Sequence, residues 1–192
     1  MATTKKYGFT IVEILVTTII ISILAAVSVL AFNGAQNRAY MAQVYANVSN
    51  AAKLMNVYHT INGTYPIVAD TNCLGKVSDY PAANGFASGS CGIDTSNSSS
   101  WGQANDSFNT MLSSQGTIPS GVTKIAINAG IKYRGIYFQI NDYAPGSPWP
   151  DSVFFEFAVP GNQQCLGTVN IRRYDSSASS TYCSYYFNAS GS

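Results

Sequence analysis

Between Phe9 and Phe32 the only ionisable side chain is Glu13, set among Ile, Leu, Val, Ala, Ser and Thr. A carboxylate near the end of so apolar a run is costly unless it stays at the interface or meets a cation, so ion pairing is the chemistry it offers. A second chemistry is thiol oxidation. The four cysteines, Cys73, Cys91, Cys165 and Cys183, all follow the apolar run, and eighteen positions separate the members of each neighbouring pair. Four cysteines allow three connectivities. Sequence-local closure favours Cys73 with Cys91 and Cys165 with Cys183, each contributing about 3 kcal/mol in the chain-entropy account. Zinc is the competing use, but no C-x-x-C spacing occurs and the lone histidine, His59, is remote in sequence.

No catalytic constellation accompanies these groups. The chain has one histidine, no glycine-rich phosphate loop and no G-x-S-x-G, and its aspartates fall mostly in turn-like sequence. The expectation is a protein that is not an enzyme, with no cofactor and no metal. Asp94, Asn97 and Asp106 are candidate calcium ligands, but they lack a calcium-loop spacing and read as solvated turn residues. Trp101, Trp149, Tyr133, Tyr137, Tyr143, Tyr182, Tyr185 and Tyr186 could form an aromatic adhesive surface; Tyr is also a favoured strand residue, so a sheet face is the simpler account. Asn47, Asn62, Asn97, Asn105 and Asn188 open N-x-S/T triplets, as chance alone predicts in so Asn- and Ser-rich a chain.

The elements that must position these residues are legible in part. Residues 9–32 are apolar all round and, at ~1.5 Å per residue, long enough to cross a hydrocarbon core of roughly 30 Å. Lys5 and Lys6 precede the span and by the positive-inside rule keep residues 1–8 cytoplasmic, sending the rest outward. Over residues 33–60 the pattern becomes one-sided: Met41, Val44, Tyr45, Val48, Ala51, Ala52, Met55 and Tyr58 recur at steps of three and four. The two stretches predict one helix from Phe9 to near Thr60, on the order of 75 Å if unbroken, with Asn33-Gly34 its weakest point. Asn62-Gly63-Thr64-Tyr65-Pro66 reads as its stop.

Residues 61–192 suffice for one head domain. Val68 to about Ser107, rich in Ser, Asn, Gly and Asp, reads as a long loop stapled by a disulfide, and Phe108 to Leu112 as a short helix. Beyond it, period-two patterning predicts strands at Val122–Ile127, Ile131–Ile140, Val153–Val159, Leu166–Arg173 and Thr181–Phe187. A long helix followed by consecutive strands predicts an α+β fold, the outer half of the helix packed on a carboxy-terminal antiparallel β-sheet head.

Charged residues make up 10% of the chain, against roughly 25% in average soluble proteins. The net charge is +1, and removing Lys5 and Lys6 would leave eight basic against nine acidic residues, so no basic field supports nucleic-acid binding.

The run Lys5-Lys6-Tyr7-Gly8-Phe9-Thr10-Ile11-Val12-Glu13 resembles the prepilin leader of type IV pilins and pseudopilins. The resemblance extends to about Pro66, including a Gly-x-Tyr-Pro that closes the long helix in those proteins. It implies a type IV pilin-like fold, a leader of residues 1–8 cleaved between Gly8 and Phe9 by prepilin peptidase, N-methylation at Phe9 by the same enzyme, and a role for Glu13 in assembly. The implied partners are further pilin subunits, the peptidase/methyltransferase and an inner-membrane assembly platform. The implied localisation is a single-pass membrane protein, amino terminus inside, that is later moved into an extracellular filament. A structural subunit of a type IV pilus competes with a pseudopilin of type II secretion or DNA uptake; the long head favours the first, and the lack of proline between Phe9 and Tyr65 favours the second. A signal peptide fits less well, because its cleavage site follows the apolar stretch. A single-span anchored module binding glycan through its aromatics explains the span and the lysines but gives Glu13 no role.

Overall fold

The computed structural model describes residues 8–66, 71–141, 152–165 and 169–188. Lys5, Lys6, Val68, Tyr143, Trp149 and Leu166 lie outside the described residues, as do the side chains of Tyr186 and Asn188. The chain divides into two units, Met1–Ala42 and Gln43–Ser192. Helix α1, Ile11–Asn62, makes up nearly all the described residues of the first and is the opening element of the second, and runs through Asn33-Gly34 without a break. It stops where Gly63 turns left-handed at φ 74° and donates its N–H to the His59 carbonyl at 2.8 Å, a geometry that glycine adopts without penalty.

Among the described residues of the second unit α1 precedes nine strands, one short α-helix and a 3-10 turn at Val77–Asp79. The strands and the α-helix are β1 (Thr71–Cys73), β2 (Ser90–Asp94), β3 (Ser100–Ala104), α2 (Asp106–Ser113), β4 (Val122–Asn128), β5 (Ile131–Gly135), β6 (Tyr137–Asn141), β7 (Ser152–Pro160), β8 (Val169–Asp175) and β9 (Ser180–Asn188). All nine strands form one sheet, ordered β4-β5-β2-β3-β1-β6-β7-β9-β8. The α+β class and the helix packed on a largely antiparallel sheet agree with the sequence reading. Two details correct it. The stretch expected as a stapled loop contains β1, β2 and β3 at the middle of the sheet, and β1 pairs with β3 in parallel. Ile131–Ile140, expected as one strand, is broken at Ile136, whose N–H turns to the Gly121 carbonyl at 2.7 Å.

The amphipathic stripe of α1 covers one face of the sheet. Val44, Val48, Ala51, Ala52 and Met55 are buried. Tyr45 meets Phe157 edge-on at 5.5 Å, and the Tyr58 hydroxyl reaches the Met111 sulfur at 3.6 Å. Phe138 of β6 stacks on Phe108 of α2 and lies beside Phe155 of β7. Helix α2 is held by Asn105, whose side-chain oxygen accepts from the N–H groups of Ser107 and Phe108, satisfying donors that a helix start leaves orphaned.

Strand β7 is buried on both faces: Phe155 and Phe157 lie towards α1, and Phe154, Glu156 and Ala158 face the other way. A strand covered twice reads as a continuous apolar run, as Phe154–Val159 does apart from Glu156. The second cover is the sheet itself, which rolls until its ends meet. Asn128 at the end of β4 donates to the Arg173 carbonyl of β8 and the Ser180 carbonyl of β9 at 3.4 and 3.5 Å. The Ser180 hydroxyl donates to the Ile127 carbonyl, and the Ala129 N–H to the Asp175 carboxylate at 3.3 Å. Rolling covers the outer strands that an open sheet would leave exposed. Inside the roll Cys73, Tyr80, Cys91, Ala104, Ala126, Tyr133, Tyr137 and Ala158 form a second core.

Two close fits set the roll. A Cβ on Gly121 would lie 1.8 Å from the Leu74 carbonyl oxygen, so no side chain is possible there. Arg134 of β5 is buried and spends its guanidinium on backbone carbonyls: Nε on Ser90 at 2.6 Å, Nη1 on Pro81 at 2.5 Å, and Nη2 on Ala87 and Tyr80 at 2.9 and 3.2 Å. The guanidinium also lies 4.4 Å from the centre of the Phe86 ring. This one side chain organises the 80–90 segment. Arg134→Met keeps the apolar stem but strands those carbonyls, and is expected to destabilise the head by about 2 kcal/mol, read as a lower urea midpoint with unchanged slope.

Candidate functional site

The candidate site inferred from sequence is the amino-terminal segment. Gly8 has open space around its Cα and Phe9 is 84% exposed. Helix α1 begins one residue after Thr10, and Thr10 and Glu13 form a reciprocal cap. Glu13 Oε2 accepts from the Thr10 N–H at 2.8 Å and from its hydroxyl at 2.9 Å, while the Thr10 hydroxyl oxygen accepts from the Glu13 N–H at 3.3 Å. This is a capping box, in which a Thr and a Glu three residues later satisfy two orphan donors. Thr10-x-x-Glu13 is itself a sequence signal, and Thr10 is a site residue that charge and apolar patterning alone miss. Glu13 thus has a local role in the subunit itself. Both of the bonds from Thr10 use Oε2, so the carboxylate retains Oε1 for a second donor.

Past the cap, Ile14, Leu15, Ile19, Ile20, Ile23, Leu24, Val27 and Phe32 are all exposed. Thr17, Thr18, Ser22 and Ser28 each return their hydroxyl to a carbonyl three or four residues back, so these polar groups are satisfied within the helix and need no water. The helix is long and apolar enough to cross a membrane.

The other residues singled out from sequence lie in the second unit. Cys73–Cys91 and Cys165–Cys183 are disulfides with Cα separations of 5.8 Å; the first joins β1 to β2, and the second ties the segment after β7 to β9. His59 stacks on Tyr65 at 4.5 Å. Asp94 and Asn97 each accept from a backbone N–H two residues on, and Asp106 accepts from the Val77 N–H at 3.1 Å; the structure places these three in turn and loop-fixing roles. Among the described residues no group of three or more His, Cys, Asp or Glu is placed to share a metal ion.

A buried polar cluster inside the roll was not anticipated. Glu156 is 8% exposed, and its carboxylate accepts from the Tyr137 and Tyr182 hydroxyls and, at 3.4 Å, from Ser184. Tyr133 stacks on Tyr137 with ring centroids 5.8 Å apart. Burial pushes the Glu156 carboxyl up to about 7, against the lowering effect of its Tyr137 and Ser184 hydrogen bonds. Burial likewise raises Tyr133 and Tyr137 above the ordinary phenol range. One acidic residue in a strand gives no sequence signal, because its partners come from β6 and β9.

A capped, exposed apolar helix thus starts just after a glycine, and an α+β unit follows it in the chain. Residues 3–29 match the prokaryotic N-terminal methylation motif, the signature of type IV pilins and pseudopilins. No curated protein and no solved structure matches the chain.

Proposed function

We propose that this chain is the structural subunit of a type IV pilus-like extracellular filament. The observation that carries this reading is the methylation motif leading into an apolar helix whose side chains are exposed all along its amino-terminal stretch. Prepilin peptidase cleaves between Gly8 and Phe9 and methylates the new amine of Phe9. Residues 9–32 hold the subunit in the membrane and then become filament core, where their apolar surface is covered by the same segment of neighbouring chains. Glu13 receives the amine of an adjacent subunit's first residue. Opposite charges at ~4 Å attract by about 4 kcal/mol at an effective dielectric near 20, and pairing removes the cost of leaving either alone in an apolar bundle. Residues 61–192 form the outward head, and two disulfides suit it to an oxidising exterior. Polymerisation is with itself or with other pilins.

A pseudopilin of secretion or DNA uptake is the second reading, favoured by the absence of proline between Phe9 and Tyr65. Both share the processing route. Intact-mass spectrometry of material sheared from cells tests it: the expected chain begins at Phe9 and carries one added methyl group. An uncleaved chain confined to membranes would overturn the proposal and leave a membrane-anchored module.

A further inference from the structure

The rolled sheet borders a cavity of about 520 Å³, lined by Trp101, Tyr133, Tyr137, Glu156, Arg173 and Tyr182 among others. That volume lies in the ~300–1,000 Å³ range of small-molecule sites. Its strand residues come from β3 to β9, so it exists only once the sheet has rolled. Trp101 is 47% exposed at its rim, an unusual placement for so large an apolar ring, and Glu156 lies deep within. Tyr133 stacks on Tyr137 at 5.8 Å and sits 6.1 Å from Tyr182, giving the wall three adjacent rings.

Glu156 is an ionisable group buried in an aromatic cleft, and such a group marks a candidate binding site. The lining also selects the ligand. Glu156 and Arg173 offer a carboxyl and a guanidinium to one ligand, and a neutral polyol can donate hydroxyls to the first and accept from the second. A pyranose ring adds an apolar C–H face that suits the Trp101 indole and the tyrosine wall. We infer that the cavity binds a neutral sugar, as the terminal unit of a glycan, with its ring against Trp101 and its hydroxyls on Glu156 and Arg173. This site is independent of filament assembly, which uses residues 9–32.

The test uses the full chain in a detergent without a sugar headgroup, probed by saturation-transfer NMR with the methyl glycosides of glucose, galactose, mannose and N-acetylglucosamine, and with choline as a cationic control. At least one glycoside is expected to bind saturably, and Trp101→Ala and Glu156→Gln each to weaken it about tenfold, the loss expected for one good contact. Trp101 is at the rim, so its variant keeps the fold and its circular dichroism. Absence of saturable binding by all four glycosides, binding that survives Trp101→Ala, or binding of choline alone would each overturn the inference. None of these results bears on the amino-terminal mass that tests the filament reading.

Discussion

Glu13→Gln is expected to leave leader cleavage intact and to remove nearly all surface filaments. Glutamine preserves the capping box, because its side-chain oxygen can still accept from Thr10. It removes only the charge. If the pair with a neighbour's amine contributes about 4 kcal/mol, its loss lowers the assembly equilibrium roughly a thousandfold per subunit contact. Glu13→Ala removes cap and charge together and adds a local helix cost of about 1 kcal/mol. Comparing the two variants separates the roles: immunoblots of sheared filaments read assembly, and mass of the membrane-held chain reads cleavage. A Gln variant that makes filaments at the wild-type level while Ala does not would show that Glu13 acts only as a cap, and would remove the ion pair from the assembly account.

The head is expected to lose stability as pH rises from about 4.5 towards 8, and Glu156→Gln to abolish that loss. The carboxyl titrates near 4.5 when unfolded and at about 7 when folded. A raised folded value means that the native state holds the proton more tightly, so the contribution is full below the unfolded value and disappears as pH climbs through the folded one. The difference corresponds to about 3 kcal/mol between those limits. The groups that donate to Glu156 are Tyr137 of β6 and Tyr182 and Ser184 of β9, and Tyr133 of β5 and Arg173 of β8 line the same cavity. Tyr133 and Tyr137 are pushed above their usual range by burial, so neither deprotonates in this window. Urea unfolding with the disulfides intact, at pH 4.5, 6 and 8, gives the slope for both proteins. An equal slope in the Gln variant would assign the titration to another group.

These two carboxylates also mark the boundary between local and long-range information. Glu13 was legible because it stands alone in an apolar run, and its partner Thr10 is three residues away. The stripe from Val44 to Met55 and the stop at Gly63 were legible for the same reason: helix periodicity and left-handed glycine act within a few residues. Strands β4, β7 and β9 showed their alternation or apolar runs, and each begins or ends within two residues of the span read from sequence. By contrast β1, β2 and β3 are three to five residues long, rich in Ser, Gly and Asn, and are held mid-sheet by pairing with other strands and, for β1 and β2, by a disulfide. Their own sequence carries little strand propensity, so tertiary pairing overrode it.

By itself, then, the sequence determined the apolar span, the capped and charged entry to it, the amphipathic continuation and its end, and the α+β class of the chain. Those features depend on residues within one or two helical turns or one strand repeat of each other. Only the tertiary structure decided that nine strands among the described residues join in one sheet that rolls closed, that Arg134 pins the 80–90 segment through four carbonyls, and that Glu156 sits with Tyr137 and Tyr182 beside a cavity. The side-chain contacts of Arg134 and Glu156 join residues 19 to 54 positions apart, and pairings at that separation are set by the packing of the whole sheet, which no local pattern encodes.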